Sequence, residues 1–340
     1  MTRPPGRPDE FRALPWLRGA HSQTTWGNLA RSRGLVSYRR ESIETPDGDE
    51  LLVDHVDVEG PEGSPRLLVL HGLEGSSYSV YVQGLLALGH ARGWRGIALN
   101  FRSCARRAER TSEWIPNRRP RLYHSGETTD LGFLVSLLTA REPESPILAA
   151  GVSLGGNVLL KWLGENPSQS AIAAAATLSV PYDLGAGGAY MERGFGPFYV
   201  EHLLRTLRAK ARGATARFPE AAAKIDTDRV RRAKTFFAFD DAATAPLHGF
   251  AGANDYYSRS SSLGFVGRIA TPTLCISAED DPFLPARILA EVDARRSDSV
   301  SLVTTRGGGH AGFVGGTLRP RYWGEETMVE WLGSRIEPGG

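Results

Sequence analysis

The stretch that decides the fold covers residues 146–156 and reads Pro-Ile-Leu-Ala-Ala-Gly-Val-Ser-Leu-Gly-Gly. Its first half is apolar and predicts a buried strand, and a helical pattern begins just after it. Between the two, Gly151-Val152-Ser153-Leu154-Gly155 matches G-x-S-x-G, a motif in which a strand turns abruptly into a helix. Such a turn strains its central residue and needs small neighbours, which Gly151, Gly155 and Gly156 supply. We therefore predict that Ser153 projects its hydroxyl above a sheet.

The alternation of strand and helix continues on both sides of this turn. Apolar strands and helical patterns alternate along residues 66–181 and again along residues 271–340. This rhythm is typical of a parallel sheet covered by helices on both faces. Upstream, residues 35–58 read as two strands that meet at Asp47-Gly48, which predicts an antiparallel hairpin on the sheet edge.

The alternation of strand and helix stops between residues 182 and 270. The sequence there has helical patterns and is rich in arginine and aromatic residues. We interpret this segment as an inserted helical cap, or lid, above a core formed by residues 36–181 and 271–340, with residues 1–35 as an N-terminal arm. Its aromatic residues offer enough surface to wall an apolar substrate pocket, although packing within the cap is the more ordinary role for any one of them. They are Phe195, Phe198, Tyr199, Phe236, Phe237, Phe239, Phe250, Tyr256 and Tyr257.

Composition excludes several classes of protein. The 340 residues carry a net charge of +2 with 41% hydrophobic residues, an ordinary globular balance that gives no reason to expect a nucleic-acid partner. Cys104 and Cys275 are too few for a disulfide scaffold or a zinc site. No apolar run reaches the length of a membrane span, and residues 1–16 do not read as a secretory signal. We predict a cytoplasmic protein with at most peripheral membrane contact.

A nucleophilic serine needs a histidine base that is oriented by a carboxylate. Of the eight histidines, only His310 lies in a loop between the last apolar strand and the closing helix, so it is the predicted base. The acidic pair Asp280-Asp281 ends the preceding strand, which gives the chain order serine, acid, histidine.

The oxyanion that forms during acyl transfer needs two backbone N–H donors. Leu154 follows the serine at the start of a helix and is one candidate. The second is Leu73, in the loop His71-Gly72-Leu73-Glu74-Gly75 after the strand at 66–70. We expect His71 to shape that loop rather than act as a second base.

With these motifs the chain resembles the α/β-hydrolase superfamily and, within it, the YheT-like branch (AB hydrolase 4 family). The resemblance implies carboxylic-ester hydrolysis with Ser153, Asp281 and His310 as the catalytic triad. In such hydrolases the acid lies four residues before the proline that opens the next helix, which favours Asp281 and leaves Asp280 as the alternative. The stretch at 105–121 is longer and richer in arginine than is usual in the family. The matching text is PWLRGAHSQT, TPDGDELLVD, LHGLEGSS, NFRSC, YHSGETTDL, GVSLGGN, EDDPFLP and GGGHAGF.

Other classes of function find less support. The G-x-G-x-x-G at 307–312 falls in the last strand-helix unit rather than the first, and neither a Walker motif nor H-E-x-x-H occurs, so we predict no cofactor and no metal. The arginine cluster between Arg102 and Arg121 favours a solvated face over an anion-binding module. The sequence thus predicts a serine carboxylesterase for short-to-medium acyl esters. The alternatives that use the same triad are a lipid-directed (phospho)lipase and an acyltransferase or thioesterase.

Overall fold

The computed structural model describes residues 10–58 and 63–336, so the first nine residues of the predicted N-terminal arm lie outside the described part. The strands are β1 (Arg39–Glu44), β2 (Glu50–Val56), β3 (Arg66–Leu70), β4 (Arg95–Asn100), β5 (Ile147–Val152), β6 (Ile172–Leu178), β7 (Thr273–Ala278), β8 (Val300–Thr305), β9 (Val314–Gly315) and β10 (Arg321–Tyr322). The α-helices are α1 (Ala20–Ala30), α2 (Val80–His90), α3 (Thr129–Arg141), α4 (Leu154–Glu165), α5 (Leu184–Tyr190), α6 (Gly196–Arg217), α7 (Pro219–Lys224), α8 (Thr227–Arg232), α9 (Phe236–Phe239), α10 (Ala245–His248), α11 (Ala253–Ser260), α12 (Arg287–Arg295) and α13 (Trp323–Gly333).

One eight-stranded sheet forms the centre of the fold, in the order β1-β2-β4-β3-β5-β6-β7-β8. The pairs β1–β2 and β2–β4 are antiparallel, and every other pair in this sheet is parallel. This confirms the predicted, mostly parallel sheet with a hairpin on its edge.

Both faces of the sheet are buried. Successive residues of a strand point to opposite faces, and in β3 Leu68 and Leu70 join one hydrophobic cluster while Leu67 and Val69 join another. The first cluster includes residues of α3, α4 and α12, and the second includes residues of α2 and α13. Helices therefore cover the sheet on both sides, which explains why its central strands are apolar without alternation.

Seven α-helices, α5 to α11, lie between β6 and β7, together with one π-helical turn and two 3-10 turns. They hold a hydrophobic cluster of their own, with Val200, Leu204 and Phe239 among its buried members. Phe195 and Phe198, at the start of α6, are instead 70% and 74% exposed. Most of the aromatic residues singled out in this segment thus serve its internal packing, and three, Phe195, Phe198 and the 42% exposed Phe237, face outward. Within the described residues, no helix is both long enough and apolar enough to cross a bilayer.

The helix α1 is absent from the sequence-based prediction. Its residues, Ala20–Ala30, lack the apolar spacing of an amphipathic helix, and its stability comes from tertiary contacts. Gln23, fully buried, donates to the carbonyl oxygen of Val314 at 3.0 Å and accepts from the N–H of Val314 at 2.7 Å. The N-terminal arm thus packs on the loop that carries His310.

Candidate active site

The turn after β5 holds Ser153 at a φ of 54°, in the left-handed region that few residues other than glycine adopt. The neighbouring glycines are required by close packing. A Cβ at Gly155 would lie 2.4 Å from the carbonyl oxygen of Leu70, and one at Gly151 would lie 2.7 Å from that of Gly155. The strand-to-helix turn predicted from G-x-S-x-G is therefore present, with the serine at its apex.

Three predicted residues meet above the carboxyl ends of β5, β7 and β8. The Nε2 atom of His310 lies 2.9 Å from Oγ of Ser153. On the other side of the ring, Nδ1 lies 2.9 Å from Oδ2 of Asp281 and 3.1 Å from Oδ1. A carboxylate at Nδ1 favours the tautomer with its proton there, which leaves Nε2 free to accept the serine proton. The arrangement can generate a serine nucleophile.

The carboxylate of Asp280 binds a backbone group and not the imidazole. Its Oδ1 accepts a hydrogen bond from the backbone N–H of Gly309 at 2.9 Å, and burial raises the pKa of its carboxyl above the ordinary value. Of the two acids, the structure brings Asp281, the one that the family resemblance favoured, to the imidazole. Asp280 instead ties the end of β7 to the loop that carries the histidine.

Of the predicted oxyanion donors, Leu154 directly follows the serine and Leu73 lies in the loop after β3. The loop after β3 passes so close that a Cβ at Gly72 would lie 3.2 Å from Cβ of Ser153. The N–H of Gly72 donates to the hydroxyl of Tyr81 at 2.8 Å, and the N–H of Glu74 donates to the hydroxyl of Tyr123 at 2.7 Å. Within the described part of the chain, the N–H groups of Leu73 and Leu154 make no hydrogen bond. Both remain available to a bound oxyanion.

His71 is a fixed part of the same loop. Its Nδ1 lies 2.7 Å from the carbonyl oxygen of Gly72, and its Nε2 accepts the N–H of Phe101 at 3.1 Å. Burial lowers the pKa of His71 to about 3, so the ring is neutral at physiological pH. With both nitrogens occupied by backbone groups, this imidazole supports the loop and offers no base.

Sequence reasoning missed the residues that hold His310 in place. The ring of Phe283 stacks on the imidazole, with centroids 4.1 Å apart and planes 12° from parallel. The backbone N–H of His310 donates to Oγ1 of Thr24 at 2.9 Å, and the next N–H, of Ala311, donates to Oγ of Ser179 at 2.9 Å. Thr24 lies in the segment GAHSQT, which is prominent in the family resemblance although no role could be assigned to it.

The arginine cluster is engaged within the protein. The Arg102 guanidinium is buried and bonded to Asp47, Asp49 and Asp130 at 2.7–3.3 Å. The remaining members each bond an acidic side chain or a backbone carbonyl: Arg106, Arg107, Arg110, Arg118, Arg119 and Arg121. The segment therefore binds the hairpin turn and neighbouring loops of the same chain.

Comparison with known proteins decides the family. Residues 65–317 match the family model described as alpha/beta hydrolase fold. The chain belongs to the α/β-hydrolase family. It is 36% identical over 332 residues to the protein YheT of Escherichia coli (strain K12), covering 96% of this chain and 94% of that one. It is 32% identical over 333 residues to the phospholipase ABHD3 of Mus musculus, covering 95% and 78% of the two chains. The resemblance to the YheT-like branch is thereby confirmed.

Solved structures of α/β hydrolases share the fold at low sequence identity. The esterase Pf2001 of Pyrococcus furiosus superposes with a TM-score of 0.52 at 16% identity, over 91% of each chain. A puromycin-hydrolyzing peptidase of Mycobacterium tuberculosis gives a TM-score of 0.56 at 16% identity, over 89% of this chain and 40% of that one. At this identity the similarity concerns the fold alone, and the chemistry of this α/β hydrolase must be argued from its own residues.

Proposed function

We propose that this chain is a serine carboxylesterase that hydrolyses short-to-medium acyl esters through Ser153, His310 and Asp281. One observation carries the proposal: a single imidazole lies within hydrogen-bonding distance of the serine hydroxyl and of a buried carboxylate, 2.9 Å on each side. This is the geometry that a nucleophile, its base and an orienting acid require.

The reaction proceeds in two halves. In the first, Nε2 of His310 takes the proton of Ser153 as Oγ attacks the ester carbonyl, and Asp281 stabilises the imidazolium that forms. The N–H groups of Leu73 and Leu154 stabilise the oxyanion. The imidazolium then protonates the leaving alcohol, which departs from an acyl-enzyme. In the second half a water attacks the acyl group in the same way, which releases the acid and restores the serine.

The surroundings of the triad suit an apolar acyl group. Phe283 lies against His310, and the ring of Tyr199 from α6 follows at 5.1 Å from that of Phe283. Burial of each additional CH₂ of the substrate contributes about 0.8 kcal/mol, so the rate rises with chain length until the available space is filled. We expect the maximum at short-to-medium p-nitrophenyl esters and low activity on long-chain triglyceride. In this proposal residues 182–270 act as the cap over the site, and the cytoplasmic location stays a prediction.

The test is Ser153→Ala, assayed on p-nitrophenyl butyrate in protein purified free of host esterases. In serine hydrolases the loss of the nucleophile costs on the order of 10⁶ in kcat. A matched control is Ser258→Ala, because Ser258 is an exposed serine of α11 that bonds only its own helix. The control should keep wild-type activity, and a fluorophosphonate probe should label it but not Ser153→Ala. Activity of Ser153→Ala within tenfold of wild type would exclude the triad.

A lipid-directed activity is the second candidate. Relatives of the chain carry the names phospholipase ABHD3 and, in Saccharomyces cerevisiae, monoacylglycerol lipase. The exposed ring of Phe198 contacts Tyr199, and the exposed ring of Phe195 contacts His21, which stacks on Tyr199; these rings offer an apolar surface to a lipid chain. Faster release of fatty acid from phosphatidylcholine vesicles than of p-nitrophenol from the butyrate ester would favour this candidate. Transfer to an added alcohol, or turnover of an acyl thioester, would indicate the acyltransferase or thioesterase alternative.

A further inference from the structure

The loop that carries Leu73 has an unusual backbone at its next residue. Glu74 adopts a φ of 58°, a conformation that costs free energy in a residue with a side chain and persists only where the surroundings enforce it. Its N–H bonds to Tyr123, and its carbonyl oxygen accepts from the Arg106 guanidinium at 3.2 Å. The backbone that follows the Leu73 N–H is therefore fixed at Glu74 by contacts with Tyr123 and Arg106.

The side chain of Glu74 is held from the cap. Its Oε1 accepts from Nζ of Lys210, in α6, at 2.7 Å, and from the hydroxyl of Tyr123 at 2.8 Å. The pair is buried, with 2% of the Lys210 side chain and 6% of the Glu74 side chain exposed. Among the described residues, Lys210 forms an ion pair with no other carboxylate.

The surroundings keep both partners charged. Burial alone would raise the pKa of Glu74, and the contact with Lys210 lowers it overall. Burial alone would lower the pKa of Lys210, and its contacts with Cys104 and Glu74 raise it overall. The ammonium also lies 5.2 Å from the ring centroid of Tyr123 and 5.8 Å from that of Trp114. A rigid, charged contact thus spans the cap and the loop beside the serine.

We infer that Lys210 is a positioning residue: through Glu74 it holds the N–H of Leu73 where the oxyanion forms. The inference rests on the proposed function, since it assigns a role within that reaction. A helix of the cap thereby takes part in stabilising the transition state without touching the substrate. Because the contact orients an oxyanion donor, its loss should lower kcat and leave KM nearly unchanged.

The decisive variant is the double substitution Lys210→Met with Glu74→Gln, which removes both charges and leaves no unpaired buried ion. The control is Lys234→Met, which removes an exposed lysine of the same cap. Two readouts separate positioning from mere stability. One is kcat and KM on p-nitrophenyl butyrate, and the other is the affinity for phenylboronic acid, whose tetrahedral adduct with Ser153 places an oxygen at the oxyanion position.

In the folded double variant we expect kcat and boronic acid affinity to fall together by about 10- to 100-fold, with KM within threefold of the control. If this double variant does not fold, Lys210→Leu with Glu74→Gln, which likewise leaves no buried ion unpaired, is measured by the same two readouts. Values of kcat and boronic acid affinity within threefold of the control overturn the inference, as does a loss of kcat with unchanged boronic acid affinity. Retained activity in Ser153→Ala would instead overturn the proposed function itself, so the two failures are distinguishable.

Discussion

The carboxylates of the adjacent residues Asp280 and Asp281 bind two adjacent residues of one loop, one at the backbone and the other at a side chain. Asp281 meets the imidazole of His310, and Asp280 meets the backbone N–H of Gly309. One carboxylate thus contacts the imidazole, while its neighbour ties the end of β7 to the loop that carries that imidazole.

Because the two carboxylates have different partners, we predict that replacing each by asparagine lowers kcat to a different extent. Asp281→Asn should lower kcat by about 10⁴, because an amide at Nδ1 stabilises the wrong tautomer of His310. Asp280→Asn, the matched control, should cost far less, since an amide oxygen still accepts the N–H of Gly309. Steady-state kinetics on p-nitrophenyl butyrate would check both variants, and a larger loss in Asp280→Asn would contradict the assignment.

The contact between α1 and the histidine loop predicts a catalytic effect of Thr24→Val. Valine keeps the shape of the side chain and removes the acceptor for the N–H of His310, so kcat should fall about 10- to 100-fold while KM changes little. The control is Thr25→Val. Thr25 bonds the carbonyl oxygen four residues earlier, as Thr24 does, but has no bond to His310. Equal kcat values for the two variants would show that Thr24 does not position the base.

The buried guanidinium of Arg102 predicts a large loss of stability in Arg102→Met. The substitution leaves the carboxylates of Asp49 and Asp130 buried without their cation, and the loss of one partner from a buried ion pair costs about 3–5 kcal/mol. Arg110→Met, in the exposed part of the same cluster, should change the free energy of unfolding by less than about 0.5 kcal/mol. Urea denaturation followed by tryptophan fluorescence measures both values. A loss below 1 kcal/mol for Arg102→Met would contradict the prediction.

From the buried position of the Asp240 carboxyl we predict that the free energy of unfolding depends on pH. Its carboxylate accepts from the hydroxyls of Thr244 and Tyr257, and burial raises its pKa to about 6 against hydrogen bonds that lower it. The folded state therefore binds the proton more tightly than the unfolded state. The stabilising contribution is complete below about pH 4 and is lost as the pH rises through 6, with a slope of at most about 1.4 kcal/mol per pH unit.

The corresponding measurement compares wild type with Asp240→Asn by urea denaturation between pH 4 and 7.5. Asparagine does not titrate, so the free energy of unfolding of the wild type should decline relative to that of the variant across this range. A difference between the two proteins that is independent of pH would exclude this role for Asp240.

Local sequence was sufficient for the sheet and for the serine turn. The strands β3 to β8 are short, mostly apolar runs, and the serine turn is marked by the five consecutive residues of G-x-S-x-G, so both can be predicted from local sequence. The helix α1 was missed because GAHSQTTWGNLA has no apolar stripe, and its structure depends on Val314 and the loop around it.

The remaining parts of the site depend on contacts between distant residues. Sequence order placed an acid before His310, and the family resemblance favoured Asp281 with Asp280 as the alternative. The sequence alone does not show which carboxylate reaches the imidazole, since adjacent side chains differ in direction rather than in type. The pair of Glu74 and Lys210 is separated by 136 residues and leaves no local pattern. The cap aromatics were recognisable as apolar, whereas only the structure distinguishes the buried Phe239 from the exposed Phe198.

The bond between Thr24 and His310 joins residues 286 positions apart. During refolding we expect a contact of such separation to form late, because closing so long a loop costs conformational entropy that one hydrogen bond does not offset until the rest of the fold is in place. The sheet can therefore be complete, with its circular dichroism restored, while the histidine loop still lacks the helix that steadies it. Esterase activity should therefore recover more slowly than the far-ultraviolet circular dichroism. The rate at which activity returns would then measure the last step of folding.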